Sequence, residues 1–352
     1  EWSIHVIMDS PGSAGMAAQA MWEGIEEEIP ANVIAAPIDL LLAVDEKTDL
    51  VADLEPYISS KRYGMSPAQR KDFSPVFWEE DYAAGKQYAI PAQRTAAVMI
   101  YNSTWARELG YNQAPSTPEV FQQQVCAANA VQRQDTDVTN DGIGGWIINT
   151  SSPVLLNWLD AFNADVFSDP TVTFASAETD DAFSFLFGLY RKSCAWTGKV
   201  PQPYEYFARR QALVYSGQMQ DIAMQTNFMQ RMDSKDEWQV IPFPGLERRA
   251  TVTSGFSYAI LQADAAKDLA AWLFIRWMSE PVQQARLLKV SGTLPLGQQV
   301  MSQMADYAQA NPQWKQAVET LKDPVIQPKT ADWAVIAPVL EDAGRSEERR
   351  VG

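Results

Sequence analysis

Two rhythms of apolar residues alternate along this chain. Trp2-Ser-Ile-His-Val-Ile-Met8 has the near period-two pattern of a strand and closes on the turn signal Asp9-Ser-Pro-Gly12. Residues 15–28, rich in Ala, Met and Glu, predict a helix that Pro30 stops, and residues 31–36 predict a short apolar strand. Strand patterns return at residues 88–92 and 97–101, with a short helix over 104–109. Ser116-Thr-Pro-Glu119 predicts a helix entry, with a hydroxyl cap, Pro in the first turn and Glu beside the positive helix end. Further strands are expected at 238–245 and 257–261, and helices at 267–278, 298–321 and 332–343. This alternation predicts an α/β sheet with helices on both faces. No repeat or low-complexity linker interrupts the 352 residues, so two lobes are expected that the chain crosses between more than once.

Charge narrows the partners. A balance of 28 basic against 44 acidic residues leaves −16, a field that repels nucleic-acid phosphates and anionic lipid. No run approaches the ~20 apolar residues that span a bilayer. No basic-then-apolar leader opens the sequence, so a leader is expected to be absent from this chain. Cys126 and Cys194 leave two readings open: a pair of buried thiols, or one disulfide in an oxidising compartment.

Little in the sequence carries catalysis. The single histidine, His5, lies within a strand pattern, which removes the usual nucleophile–histidine pairs and multi-histidine metal sites. Gly142-Ile-Gly-Gly145 fits no phosphate loop, and no cofactor is expected. The acidic runs Glu79-Glu80-Asp81 and Asp180-Asp181 read as solvated surface, although a glycoside hydrolase would need two facing carboxylates. Asp135, Asp137, Thr139 and Asp141 place oxygens at alternate positions before Gly142, as a Ca²⁺ loop does. An Asx-rich turn explains the same residues, and the bidentate Glu of the calcium loop is absent. Twelve Trp, several of them outside helical stripes (Trp78, Trp146, Trp158, Trp196, Trp333), suit stacking on sugar rings or, equally, core packing.

The order of motifs resembles the extracellular solute-binding proteins of ABC importers, in the family that includes maltose- and other sugar-binding proteins. The resemblance rests on Pro30-Ala-Asn-Val-Ile, Leu50-Val-Ala-Asp-Leu-Glu-Pro-Tyr57, Tyr88-Ala-Ile-Pro91 before Met99-Ile-Tyr-Asn102, and Gly110 to Glu119. It continues through Arg210-Gln-Ala-Leu-Val-Tyr-Ser-Gly217, Ser254-Gly-Phe256 and Gly292-Thr-Leu-Pro295, covering nearly the whole chain. It implies a type II periplasmic-binding-protein fold, two mixed-sheet α/β lobes flanked by helices and joined by crossover hinge strands. One lobe is expected from 1–94 and 255–297, the other from 95–254 and 298–344. Two departures stand out: the family's opening strand and long helix have no counterpart, implying an N-terminally truncated chain, and 345–352 read as a foreign or frayed tail.

The implied function is capture of a mono- or oligosaccharide between the lobes by hinge closure, without catalysis, and delivery to membrane permease subunits. The protein is expected to be a monomer, periplasmic or lipid-anchored at the cell surface. Expected ligand contacts are Gln93 and Arg94 on the first crossover, Ser254, Gly255 and Phe256 on the second, and Asp9, Ser10 and Asp39 rimming the first lobe. In the second lobe they are Trp146, Asn149, Trp158 and Asn227, with Trp333 as a stacking wall. Two rivals remain at this point: a glycoside hydrolase, and a sister binder for a polyamine or an anion, to which Arg94 would contribute.

Overall fold

A computed structural model describes residues 32–166, 172–199, 202–247, 251–321 and 324–349. The strand and helix expected before residue 30, together with Asp9 and Ser10, lie outside the described residues.

The described chain opens with β1 (Val33–Ala36) and α1 (Ile38–Thr48), then α2 (Pro75–Glu80) and the small hairpin β2 (Tyr82–Ala83) and β3 (Lys86–Gln87). The long β4 (Ile90–Asn102) leads to α3 (Pro118–Gln134), β5 (Gly144–Ile147), α4 (Ser152–Ala161), α5 (Ala177–Arg191) and β6 (Ala195–Trp196). Then come β7 (Ala212–Gln218), α6 (Asp221–Arg231), β8 (Trp238–Ile241), β9 (Val252–Ile260), α7 (Ala265–Met278) and α8 (Pro281–Ser291). The chain finishes with α9 (Pro312–Thr320), β10 (Val325–Ile326) and α10 (Trp333–Arg349), unlabelled short helices lying between.

Local chemistry explains the boundaries. Thr117 caps α3 by accepting from the Val120 N–H, with Pro118 in the first turn, as the sequence predicts. Pro37 holds an extended backbone before α1, whose buried stripe is Ile38, Leu41 and Val44; Asp49 ends it in the left-handed region. Helix α10 runs on to Arg349, past the point where a frayed tail is expected.

The eight-stranded sheet has the order β1-β9-β4-β7-β5-β6, with β10 on β9 and β8 on β4. Two strands span it. The first half of β4 pairs antiparallel with β9, and its second half, from Ala97 to Tyr101, pairs antiparallel with β7. The first half of β9 lies on β4 and its last four residues also pair with β1. The fold is thus α/β and two-lobed, with β4 and β9 running from one lobe into the other.

An apolar core on one face of the sheet runs from Leu54 and Trp272 to Phe207 and Tyr215. A second core, around Phe121, Trp158 and Phe243, fills the space beneath α3, α4 and α5, and a smaller one lies under α1. Cys126 on α3 and Cys194 beside β6 form a disulfide, which decides between the two readings of the cysteines. A close backbone approach accompanies it: a side chain on Gly145 would put its Cβ 1.9 Å from the Cys194 carbonyl oxygen, so only glycine fits.

Candidate functional site at the strand crossover

Where β4 and β9 cross between the lobes, Gln93 faces Phe256, Arg94 faces Gly255 and Thr95 faces Ser254, after a register shift between Pro91 and Gln93. The strands touch so closely that a Cβ on Gly255 would sit 2.0 Å from the Gln93 carbonyl oxygen. Successive side chains on a strand point to opposite faces. Gln93 and Ser254 are half-buried and Phe256 is 41% exposed, while Arg94 turns inward and is 0% exposed.

Arg94, expected from sequence to contact the ligand, is instead buried, and protein groups take its donors. Its Nε donates to Glu80 at 2.6 Å, and Nη1 donates to the carbonyl oxygens of Gln93 and Phe256 at 3.0 and 2.8 Å. Nη2 donates to Asp81 at 3.2 Å and Ser257 Oγ lies 3.0 Å from it, with the Ser257 hydroxyl bonding Asp81 at 2.7 Å. The acidic run read as solvated surface thus holds two buried carboxylates, Glu80 and Asp81. Burial is the largest influence on both and raises their pKa against the pull of Arg94, Glu80 to about 7. The Asp180-Asp181 run, by contrast, is exposed.

The second lobe presents the C-terminal ends of β5, β6 and β7, parallel neighbours in the sheet and the usual ligand edge of an α/β sheet. Ser216 organises this edge: its hydroxyl accepts from Trp146 Nε1 and its carbonyl from Asn149 Nδ2, each at 3.0 Å. Asp221 fixes the next turn, accepting from the Gln218 N–H at 2.7 Å and the Tyr204 hydroxyl at 2.6 Å. Half-buried Gln220 meets the crossover, where the Thr95 hydroxyl donates to its Oε1, and the Met219 N–H donates to the Ala96 carbonyl. The N-terminus of α4 is also occupied, because Glu341 on α10 accepts from the Ser152 N–H at 2.9 Å. That carboxylate fills a slot where helix ends attract anions.

Three expected stacking aromatics lie in the core. Trp158 is 0% exposed, with ring centroids 5.3 Å from Phe121, 5.7 Å from Trp146 and 5.5 Å from Phe243. Trp146 and Trp333 are buried in the same cluster. All three are almost fully buried, whereas Phe256 at the crossover is exposed. Asn227 is exposed on α6, six residues beyond Asp221 and hence about 9 Å along the axis from the turn at the site. Asp39 stands in the first turn of α1 rather than on a loop, half-buried, its pKa raised by burial and lowered in part by the N–H groups of Asp39 and Leu40.

The acidic loop at 135–142 turns its oxygens on itself. Asp135 accepts from the Asp137 N–H, and Asp137 from the Thr139 N–H and hydroxyl, an Asx-turn pattern. Among the described residues no cluster of three or more His, Cys, Asp or Glu has metal-holding geometry.

Sequence reading missed Thr95, Gln218 and Gln220. The signal for the last two was Ser216-Gly217 closing an apolar strand immediately before Gln-Met-Gln. A strand end followed by amides is a weak pattern by itself.

The family model for bacterial extracellular solute-binding proteins matches residues 4–330. Solved structures share the fold at low identity. The sugar-binding protein MalE of Xanthomonas citri has a TM-score of 0.76 and 20% identity over 94% of this chain and 83% of that one. The cyclic α-maltosyl-1,6-maltose binding protein of Arthrobacter globiformis gives 0.75 and 17%, covering 95% and 84%. UgpB of Mycobacterium tuberculosis, in complex with glycerophosphocholine, gives 0.75 and 16%, covering 94% and 83%. No curated protein sequence matches the chain.

Proposed function

The chain belongs to the bacterial extracellular solute-binding proteins, and on that premise we propose that it captures a neutral polyhydroxy solute, a mono- or oligosaccharide, at the β4–β9 crossover for an ABC importer. The observation that carries this reading is the state of Arg94. Its donors bond to Glu80, Asp81, Ser257 and two main-chain oxygens, leaving none for an anionic ligand. Around the crossover the half-buried side chains are amides and hydroxyls: Gln93, Ser254, Asn149, Gln218 and Gln220. Such groups both donate and accept, as sugar hydroxyls do. Phe256 supplies an apolar face for the C–H surface of a ring.

Binding proceeds by closure of one lobe on the other about β4 and β9. The lobes of this reading comprise 1–94 with 255–297, and 95–254 with 298–344. The closed form then engages membrane permease subunits as a monomer. The Cys126–Cys194 disulfide supports an extracytoplasmic location, where such bonds persist. A hydrolase reading finds less support, since it needs carboxylates facing across an open groove. Glu80 and Asp81 are adjacent and sealed.

A thermal-shift screen with maltose, maltotriose, ribitol, glycerophosphocholine, spermidine and citrate tests the reading. Ligand at 100 times its Kd stabilises the folded form by about 2.7 kcal/mol. A rise in Tm with a sugar or ribitol supports the proposal; a rise confined to the phosphodiester, the amine or citrate rejects it.

A further inference from the structure

The crossover contains more buried charge than a passive hinge requires. Glu80 and Asp81 are both buried, and the buried cation beside them is Arg94 alone among the described residues. Every element packed on this point contributes a group. Helix α2 brings Glu79 as well as Glu80, β2 brings Tyr82, β4 brings Arg94 and β9 brings Ser257. The segment after β10 brings exposed Lys329, whose Nζ donates to the carbonyl oxygens of Glu79 at 3.0 Å and Tyr82 at 3.2 Å. Lys329 thereby ties the segment after β10 to the same cluster, through one carbonyl at the end of α2 and one at the start of β2.

We infer that Glu80, Asp81 and Arg94 form a proton-operated latch on the hinge, holding β4 and β9 together when the cluster carries one proton and loosening them when it carries none. Arg94 adds a side-chain tie to the main-chain pairing of the two strands, through the carbonyl oxygens of Gln93 and Phe256. One proton leaves one anion against one guanidinium, a neutral set suited to a dry site. That anion is Asp81, which accepts from both Arg94 and the Ser257 hydroxyl; the proton resides on Glu80, which meets Arg94 through Nε alone. Losing the proton leaves a buried negative charge that only the exposed Lys329 offsets. Parting α2 from the strands admits water to that charge, and relief of this kind opens the hinge. Burial places the change in Glu80 near pH 7, within the range a bacterial surface meets.

The ligand-free protein tests the latch independently of any ligand assignment. Dyes attached through Glu46→Cys on α1 and Glu178→Cys on α5, both exposed sites, report the separation of the lobes by energy transfer. The latch predicts a longer, broader distance distribution at pH 8.5 than at pH 5.5, with a midpoint near 7. Glu80→Gln keeps the acid-form distance throughout. Lys329→Met, at an exposed side chain that should leave folding intact, moves the midpoint up, because it removes a charge that favours the ionised carboxylate. His5→Gln, replacing the sole histidine, changes nothing. A flat wild-type response, a transition that persists in Glu80→Gln, an unmoved midpoint in Lys329→Met, or loss of the transition with His5 each overturns the inference.

Discussion

Gln93 and Phe256 stand opposite each other on the two strands that join the lobes, and the guanidinium of Arg94 donates to the main-chain oxygen of both. One buried side chain thus fixes two residues whose own side chains stay partly exposed. Charge is buried on one side of the strands, while Gln93, Ser254 and Phe256 are partly exposed.

Removing that charge should be costly. Arg94→Met leaves Glu80 and Asp81 buried without their cation, a situation that typically costs about 3–5 kcal/mol. Arg94→Lys recovers little, because an ammonium group lacks the planar fork that reaches two carboxylates and two carbonyls together. Urea unfolding at pH 7 measures both; a loss below 1 kcal/mol for Arg94→Met would show the cluster to be dispensable.

Stability should fall as pH rises from about 4.5 to about 7. Glu80 is raised from 4.5 to about 7, so the folded state holds a proton that the unfolded chain releases. The stabilisation is complete below pH 4.5 and declines up to about 7 by as much as about 1.4 kcal/mol per pH unit, of order 3 kcal/mol in total. Asp81, raised by the same burial, acts in the same direction. The signature is a stability difference between Glu80→Gln and wild type that grows in favour of the variant from pH 4.5 to 7.5. A difference independent of pH would mean that Glu80 stays ionised when folded.

Much of the scaffold was legible in the sequence because its signals are local. The Thr117-Pro118 cap, the apolar run of β4 and the strand ending at Ser216-Gly217 each depend on neighbours within a few residues. The site was less legible, since its logic is nonlocal. Glu80 and Asp81 look like surface until Arg94, 14 and 13 positions on, and Ser257, 176 positions beyond Asp81, close over them. Trp146 and Trp158 suit either stacking or core packing in the sequence, and only the fold shows that they pack in one core with Phe121 and Phe243.

Core and cleft aromatics should therefore respond differently. Trp158→Phe lowers stability by opening a cavity among Phe121, Trp146 and Phe243, at roughly 1–3 kcal/mol, while solute affinity stays within about twofold. Phe256→Ala should do the reverse, leaving the urea midpoint almost in place and weakening binding. Equal loss of affinity in both variants would restore Trp158 to the cleft.

Breaking the Cys126–Cys194 bond, by reductant or by Cys194→Ser, frees a loop closed over 68 residues and should cost roughly 4 kcal/mol on the chain-entropy model. Denaturant unfolding with and without reductant measures it. No change on reduction would mean that the packing of α3 on β5 and β6 already imposes the constraint.

The central claim is that neutral polar groups at the crossover read an uncharged polyhydroxy solute. Isothermal titration of the sugar or polyol selected by thermal shift, in 20 mM and 500 mM NaCl, against wild type and Gln220→Ala, examines it directly. The expected result is an affinity indifferent to salt, weakened roughly 2- to 12-fold by Gln220→Ala, as loss of one neutral hydrogen bond of about 0.5–1.5 kcal/mol requires. Affinity that falls steeply with salt and ignores Gln220→Ala would contradict the account and point to a charged ligand held elsewhere.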